Sequence, residues 1–140
     1  MCRVRVEFRK ATWFGTPKRE TARTLDFLRD HGLAFVMVDG PQGLVSSVPP
    51  EVGVTSPALA MVRLHGRNAA TWEAKGVPTV ERYRYLYDRR QLESWVPNVV
   101  EASAAAAHVH VLFNNCYANY GTTNAIEFGS LLGATGAATS

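Results

Sequence analysis

The sequence predicts a parallel α/β fold, and three observations predict it. Short apolar segments with strand character alternate along the chain with segments of helical periodicity, the order that lays parallel strands side by side through helical crossovers. The bodies of those apolar segments carry little charge, as expected of strands covered on both faces. Each then ends on polar side chains, at the edge where parallel α/β folds bind their ligands.

The first segment alternates Val4, Val6 and Phe8 with Arg5, Glu7 and Arg9, a strand with two unlike faces. Thr16-Pro17 has the form of an N-cap with proline at the first helical position. Leu25 and Leu28 share one face of the helix that follows, and Gly32 is placed to stop it. Leu33 to Asp39 is apolar until Asp39 and ends at Gly40-Pro41; Ala60 to His65 ends at Gly66. Asp88 with Gln91 has capping-box spacing. The apolar stripe beyond it is Leu92, Trp95, Val96 and Val99, with Pro97 expected to kink or divide the helix. A fourth strand, His108 to Phe113, runs into Asn114-Asn115. A last helix opens near Thr122 to Asn124, buries Ile126, Phe128, Leu131 and Leu132, and ends at Gly133. The small, polar residues 134–140 read as a flexible tail. The connections Gly40 to Leu59 and Arg67 to Tyr87 exceed ordinary loop length, which favours a functional role for them.

At 140 residues, 46% hydrophobic and 19% charged, the composition is that of one globular domain. Twelve of the 15 cations are arginine, spread along the chain, whereas tracking a phosphate backbone needs a clustered basic face. Nucleic acid is therefore a disfavoured partner. Cys2 and Cys116 have neither CxxC nor zinc spacing, so no disulfide framework is expected and a reducing cytoplasm is the default. No apolar run approaches the ~20 residues of a membrane span, and the charged N-terminus lacks a signal-peptide core.

Candidate chemistry gathers at the polar strand ends. Glu7 and Arg9 share a face opposite Val6 and Phe8; Arg63 and His65 share one opposite Val62 and Leu64. If the apolar faces pack on helices, the polar ones point into a barrel interior near its mouth. Glu7 and His65 are the acid–base candidates, imidazole because its pKa lies near neutrality. Arg9, Arg63 and Arg67 offer forked donors to an anionic or polyhydroxylated ligand. Asp39, Asn114 and Asn115 would position it, and the alternating Tyr83, Tyr85 and Tyr87, with Trp72 in the same loop, could cover a sugar or a base. A plainer reading stays open: Glu7 and arginine as a buried pair that fixes strand register, and the aromatics packed on their own helix. Carboxylates and imidazole at strand ends can converge on a metal, but the arginines oppose a cation, so none is assigned. His108 and His110, early in their strand, are expected in core packing. Cys116 has no activating partner in the sequence and no role is given to it.

Val4-Arg-Val-Glu-Phe-Arg9 with Trp13, Val38-Asp-Gly-Pro41, Val62-Arg-Leu-His-Gly-Arg-Asn68, the tyrosine run with Leu92 and Trp95, and Phe113-Asn-Asn115 with Asn124-Ala125 resemble, in order, the second half of the YecE-like proteins, also called domain of unknown function 72. The resemblance covers roughly residues 1–132 and is most specific in Arg63-Leu-His-Gly-Arg-Asn68 paired with Phe113-Asn-Asn115. It implies a TIM-barrel-like fold of about twice this length, here as a half-barrel of about four β/α units over residues 1–133, and it implies no established activity and no known cofactor. Cys116 stands where that pattern has histidine, and Leu86 where it has an acidic residue. With four strands counted against the eight of a TIM barrel, the chain is expected to be a truncated product, one part of a split pair, or a half that associates with itself. Three functions stay open: a barrel enzyme or its remnant acting on a small anionic or sugar-like ligand, a non-catalytic binding or interaction module, and a nucleic-acid-processing barrel.

Overall fold

A computed structural model describes residues 4–15 and 18–136. Its sheet has four strands, β1 (Arg5–Val6), β2 (Ala34–Asp39), β3 (Ala60–Leu64) and β4 (Val109–Phe113), lying in sequence order with every neighbouring pair parallel. The register aligns Asp39, Leu64 and Phe113 across three strands, so their C-terminal ends meet at one edge. The helices are α1 (Lys18–Asp30), the one-turn α2 (Ala69–Trp72) and α3 (Thr79–Arg82), α4 (Arg89–Ala105) and α5 (Tyr120–Ala134).

Alternation along the strands decides the core. Val6 and Phe8, Phe35 and Met37, Ala60, Val62 and Leu64, and Val109, Val111 and Phe113 all join one cluster with Leu28, Leu92, Trp95, Val99 and Phe128 of the long helices. The residues between them face the other way, where Val36, Val38 and Met61 form a small second cluster. Central β2 is buried throughout, as expected. β4 is not: His110 and Leu112 are exposed along it. Among the described residues β1 and β4 each pair on one side only, so the outer strands lack the cover that the middle ones have.

Local signals account for the helix ends. Gly32 (φ 64°) follows α1, with Gly32 N donating to Arg29 O (3.1 Å) and Leu33 N to Leu28 O (2.9 Å), a Schellman closure. The capping box of α4 is complete: Gln91 N donates to Asp88 Oδ1 (2.9 Å) and Asp88 N to Gln91 Oε1 (3.1 Å). α4 continues through Pro97 without a break in the helix.

Several expectations need correction. The first strand is two residues long, and a 3-10 turn, Ala11–Trp13, follows it. The last helix opens at Tyr120 and passes Gly133, and Ile126 is 69% exposed where burial was expected. His108 and His110 are exposed and not in the core, because β4 is an edge strand whose non-helical face is uncovered. The Thr16-Pro17 cap, Cys2 and residues 137–140 lie outside the described residues. Among those described, no helix is long and apolar enough to cross a membrane.

Candidate functional site

Glu7 follows β1 directly, Arg63 lies near the end of β3, and His65 and Asn114 come just after β3 and β4. The odd-numbered residues of β1 and β3 point away from the helices, so their polar groups meet over the short side chains of β2. The Glu7 carboxylate collects three partners: Arg9 Nη1 donates to Oε1 at 2.7 Å, Arg63 Nη1 donates to Oε2, and His65 Nε2 lies 3.1 Å from Oε1. Arg63 Nε also donates to Asn114 Oδ1 at 3.1 Å, tying β4 to the same chain of bonds. Burial pushes the Glu7 carboxyl up. Hydrogen bonds from His65, Arg9 and Arg63 outweigh that and hold it at about 2. Glu7 is thus ionised at neutral pH, and its bond to Nε2 requires that nitrogen to carry the proton. His65 Nδ1 is buried and has no hydrogen-bond partner among the described residues.

Glu7, Arg9 and His65 line a cleft of about 200 Å³, together with Trp72, Arg82 and Tyr83 of the long β3–α4 connection. Residues 40–41 and 46–48 of the β2–β3 loop close its other side. The ring of His65 lies 6.2 Å from Trp72 and 6.1 Å from Tyr83, and those two meet edge to face at 5.8 Å. The two loops are joined where the Ser46 N–H and hydroxyl both donate to Glu73 Oε1, at 2.7 Å each.

Asp39 and Arg67 form a separate node. Asp39 shares its strand parity with Phe35 and Met37 and so faces the helices. Arg67 Nε and Nη2 donate to its two oxygens at 2.8 and 2.6 Å, the Tyr87 hydroxyl to Oδ1 at 2.8 Å and Trp95 Nε1 to Oδ2 at 2.8 Å. Four donors saturate a carboxylate that is 2% exposed. Burial, reinforced by the Asp39 charge, pushes the Tyr87 hydroxyl far above its ordinary range, so it stays a donor. The same hydroxyl accepts from Gly66 N at 2.8 Å.

Asn115 and Tyr85 belong to a third group. Asn115 Nδ2 donates to Tyr85 O (2.8 Å) and to Asn124 Oδ1 (2.9 Å), while the Asn124 amide exchanges two 3.0 Å bonds with the backbone of Tyr87. The Tyr85 hydroxyl accepts from Gln91 of the capping box at 2.7 Å. The structure therefore brings together Glu7, Arg9, Arg63, His65 and Asn114, and sets Asp39, Arg67, Asn115 and Tyr85 in bracing networks behind them. Cys116 is exposed. Of the tyrosine run, Tyr83 lines the cleft and Tyr85 does not; Arg82 lines it too, although the sequence reading gave it no ligand role and nothing in its spacing marks it as turning inward.

A family profile described as "Protein of unknown function DUF72" matches residues 1–140. The UPF0759 protein YunF of Bacillus subtilis (strain 168) is 36% identical over 114 residues, 79% of this chain and 39% of that protein. The crystal structure of a DUF72 family protein from Thermotoga maritima superposes with a TM-score of 0.81 at 37% identity, over 94% of this chain and 46% of that one. A DUF72 family protein from Enterococcus faecalis gives 0.84 at 30% identity, over 94% and 47%. The chain thus spans well under two thirds of the length of each of these relatives.

Proposed function

The chain belongs to the DUF72 family, and for it we propose a small-molecule site at the strand ends, suited to an anionic or sugar-like ligand and centred on Glu7 and His65. One observation carries the reading: an ionised, three-fold hydrogen-bonded carboxylate fixes the tautomer of a buried histidine whose other nitrogen lacks a partner, in the wall of a cleft. In that state His65 Nδ1 is an acceptor, able to take a hydrogen bond or a proton from a ligand hydroxyl, while Glu7 stabilises the imidazolium that proton transfer would form. Arg9 and Arg63 hold Glu7 in place and add positive potential. The cleft of about 200 Å³ equals the volume of roughly six or seven waters, which suits a molecule of monosaccharide size.

The sheet itself is best read as about half of a TIM-barrel-like domain, formed by residues 1–133. Two edge strands, with an apolar groove beside β1 and a groove of mixed polarity beside β4, support this. One groove runs under α1 past Val6, Trp13 and Phe27, the other under α5 past Val111, Phe128 and Leu132. The share of the solved relatives that the chain covers points the same way.

Titration calorimetry with a panel of monosaccharides and sugar acids tests the site. Binding to the unsubstituted protein should weaken at least about tenfold on Glu7→Gln and on His65→Ala, roughly the loss of one charge-assisted hydrogen bond. Equal binding by all three proteins would sink the site.

A further inference from the structure

Arg82 of α3 lines the same cleft, and its Nε is a second buried nitrogen with no hydrogen-bond partner among the described residues. Arg82 Nη2 donates to Ala74 O at 3.0 Å, which anchors the guanidinium from one end, and among the described residues no carboxylate lies within ion-pair distance of it. Its neighbours differ. Arg9 and Arg63 both answer Glu7, and Arg67 answers Asp39. One acidic side chain therefore lines this cleft, already shared between two guanidiniums, and the charge of Arg82 has no counterpart. A guanidinium Nε can only donate. His65 Nδ1, with the proton held on Nε2, can only accept.

We propose that the two orphaned nitrogens together select the ligand: a small hydroxylated carboxylate, whose carboxylate oxygen accepts from Arg82 and whose hydroxyl donates to His65 Nδ1. The inference rests on the site proposed above and narrows it from anionic or sugar-like ligands to molecules that are both. A neutral sugar satisfies His65 and leaves Arg82 Nε desolvated without an acceptor. A simple carboxylate does the reverse. Either omission leaves a buried polar atom unpaired, and sites built to hydrogen-bond a group discriminate strongly against analogues that lack it. The rings of Trp72 and Tyr83 supply flat apolar surface for the carbon skeleton between the two polar ends.

The test compares galacturonate, galactose, cyclohexanecarboxylate and inorganic phosphate by calorimetry on the folded chain. Galacturonate is expected to bind at least about tenfold (~1.4 kcal/mol) more tightly than any of the others. Arg82→Gln should abolish the preference, bringing galacturonate and galactose to the same affinity. If galactose and galacturonate bind alike and Arg82→Gln alters neither, the role of Arg82 is refuted while hydroxyl recognition at His65 stands. Cyclohexanecarboxylate binding as tight as galacturonate, and lost with Arg82→Gln, would refute the requirement for a hydroxyl, and phosphate doing the same would refute the selection of a hydroxylated carboxylate. Binding of none of the four would remove both this inference and the site beneath it. Should Arg82→Gln unfold the chain, nitrogen NMR of the His65 imidazole in the unsubstituted protein decides. Nδ1 should move from an unprotonated to a hydrogen-bonded signal with galacturonate and stay put with cyclohexanecarboxylate; no movement with galacturonate refutes the inference.

Discussion

Glu7 and Asp39 are both acidic residues near a strand end, and their surroundings separate them. Glu7 is held down from its ordinary 4.5 to about 2 by donors at the cleft wall. A carboxyl depressed on folding contributes stability that is complete above about 4.5 and is lost as pH falls through 4.5 toward 2. Solvent at the open cleft screens that contribution to the order of 1 kcal/mol. Acid titration of the melting temperature should therefore slope more steeply between those pH values in the unsubstituted protein than in Glu7→Gln. Asp39→Ala acts differently, because it strands the buried Tyr87 hydroxyl and Trp95 Nε1 and takes the carboxylate away from the partly exposed Arg67 guanidinium. A loss of about 3–5 kcal/mol in urea unfolding is expected. The sequence could not separate the two carboxylates. Around Glu7, alternation with Val6 and Phe8 labels the faces. Every residue of β2 before Asp39 is apolar, so its parity carries no such label.

Elements with a repeating pattern and a distinct end were legible, and those without were not. Gly32 and the Asp88–Gln91 box marked helix ends because each satisfies backbone groups that only a few residue types can serve. The one-turn α2 and α3 have no period to detect, although they carry Trp72 and Arg82 into the cleft. Ile126 matched a helical stripe, but the stripe predicts which side is apolar, not whether anything covers it. Gly66 ends β3 at φ 88°, where a Cβ would stand 2.8 Å from the Cβ of Tyr85. That one residue turns the chain from His65 into the cleft loop and lets Tyr85 close over it. Gly66→Ala should cost about 2 kcal/mol or more from backbone conformation and contact together, read as a fall in the denaturant midpoint with an unchanged slope.

At the scale of the molecule, two partly covered edges shape behaviour in solution. Phe27 and Ile126 are exposed on α1 and α5, the helices that overhang the two edge grooves. Apolar surface beside an unpaired strand favours association. Sedimentation velocity should show self-association of the purified chain that falls in the double variant Phe27→Lys, Ile126→Lys, with the circular dichroism spectrum retained. The tryptophans add a practical consequence. Trp95 is buried against Asp39, Trp72 stands in the cleft wall, and Trp13 is 53% exposed beside β1. Each of the three indoles occupies a different polarity of surroundings and answers to a different event. Single-tryptophan versions of the chain would give three optical channels: emission from position 95 for unfolding, quenching at 72 for ligand entry, and a blue shift at 13 for whatever closes over the edge.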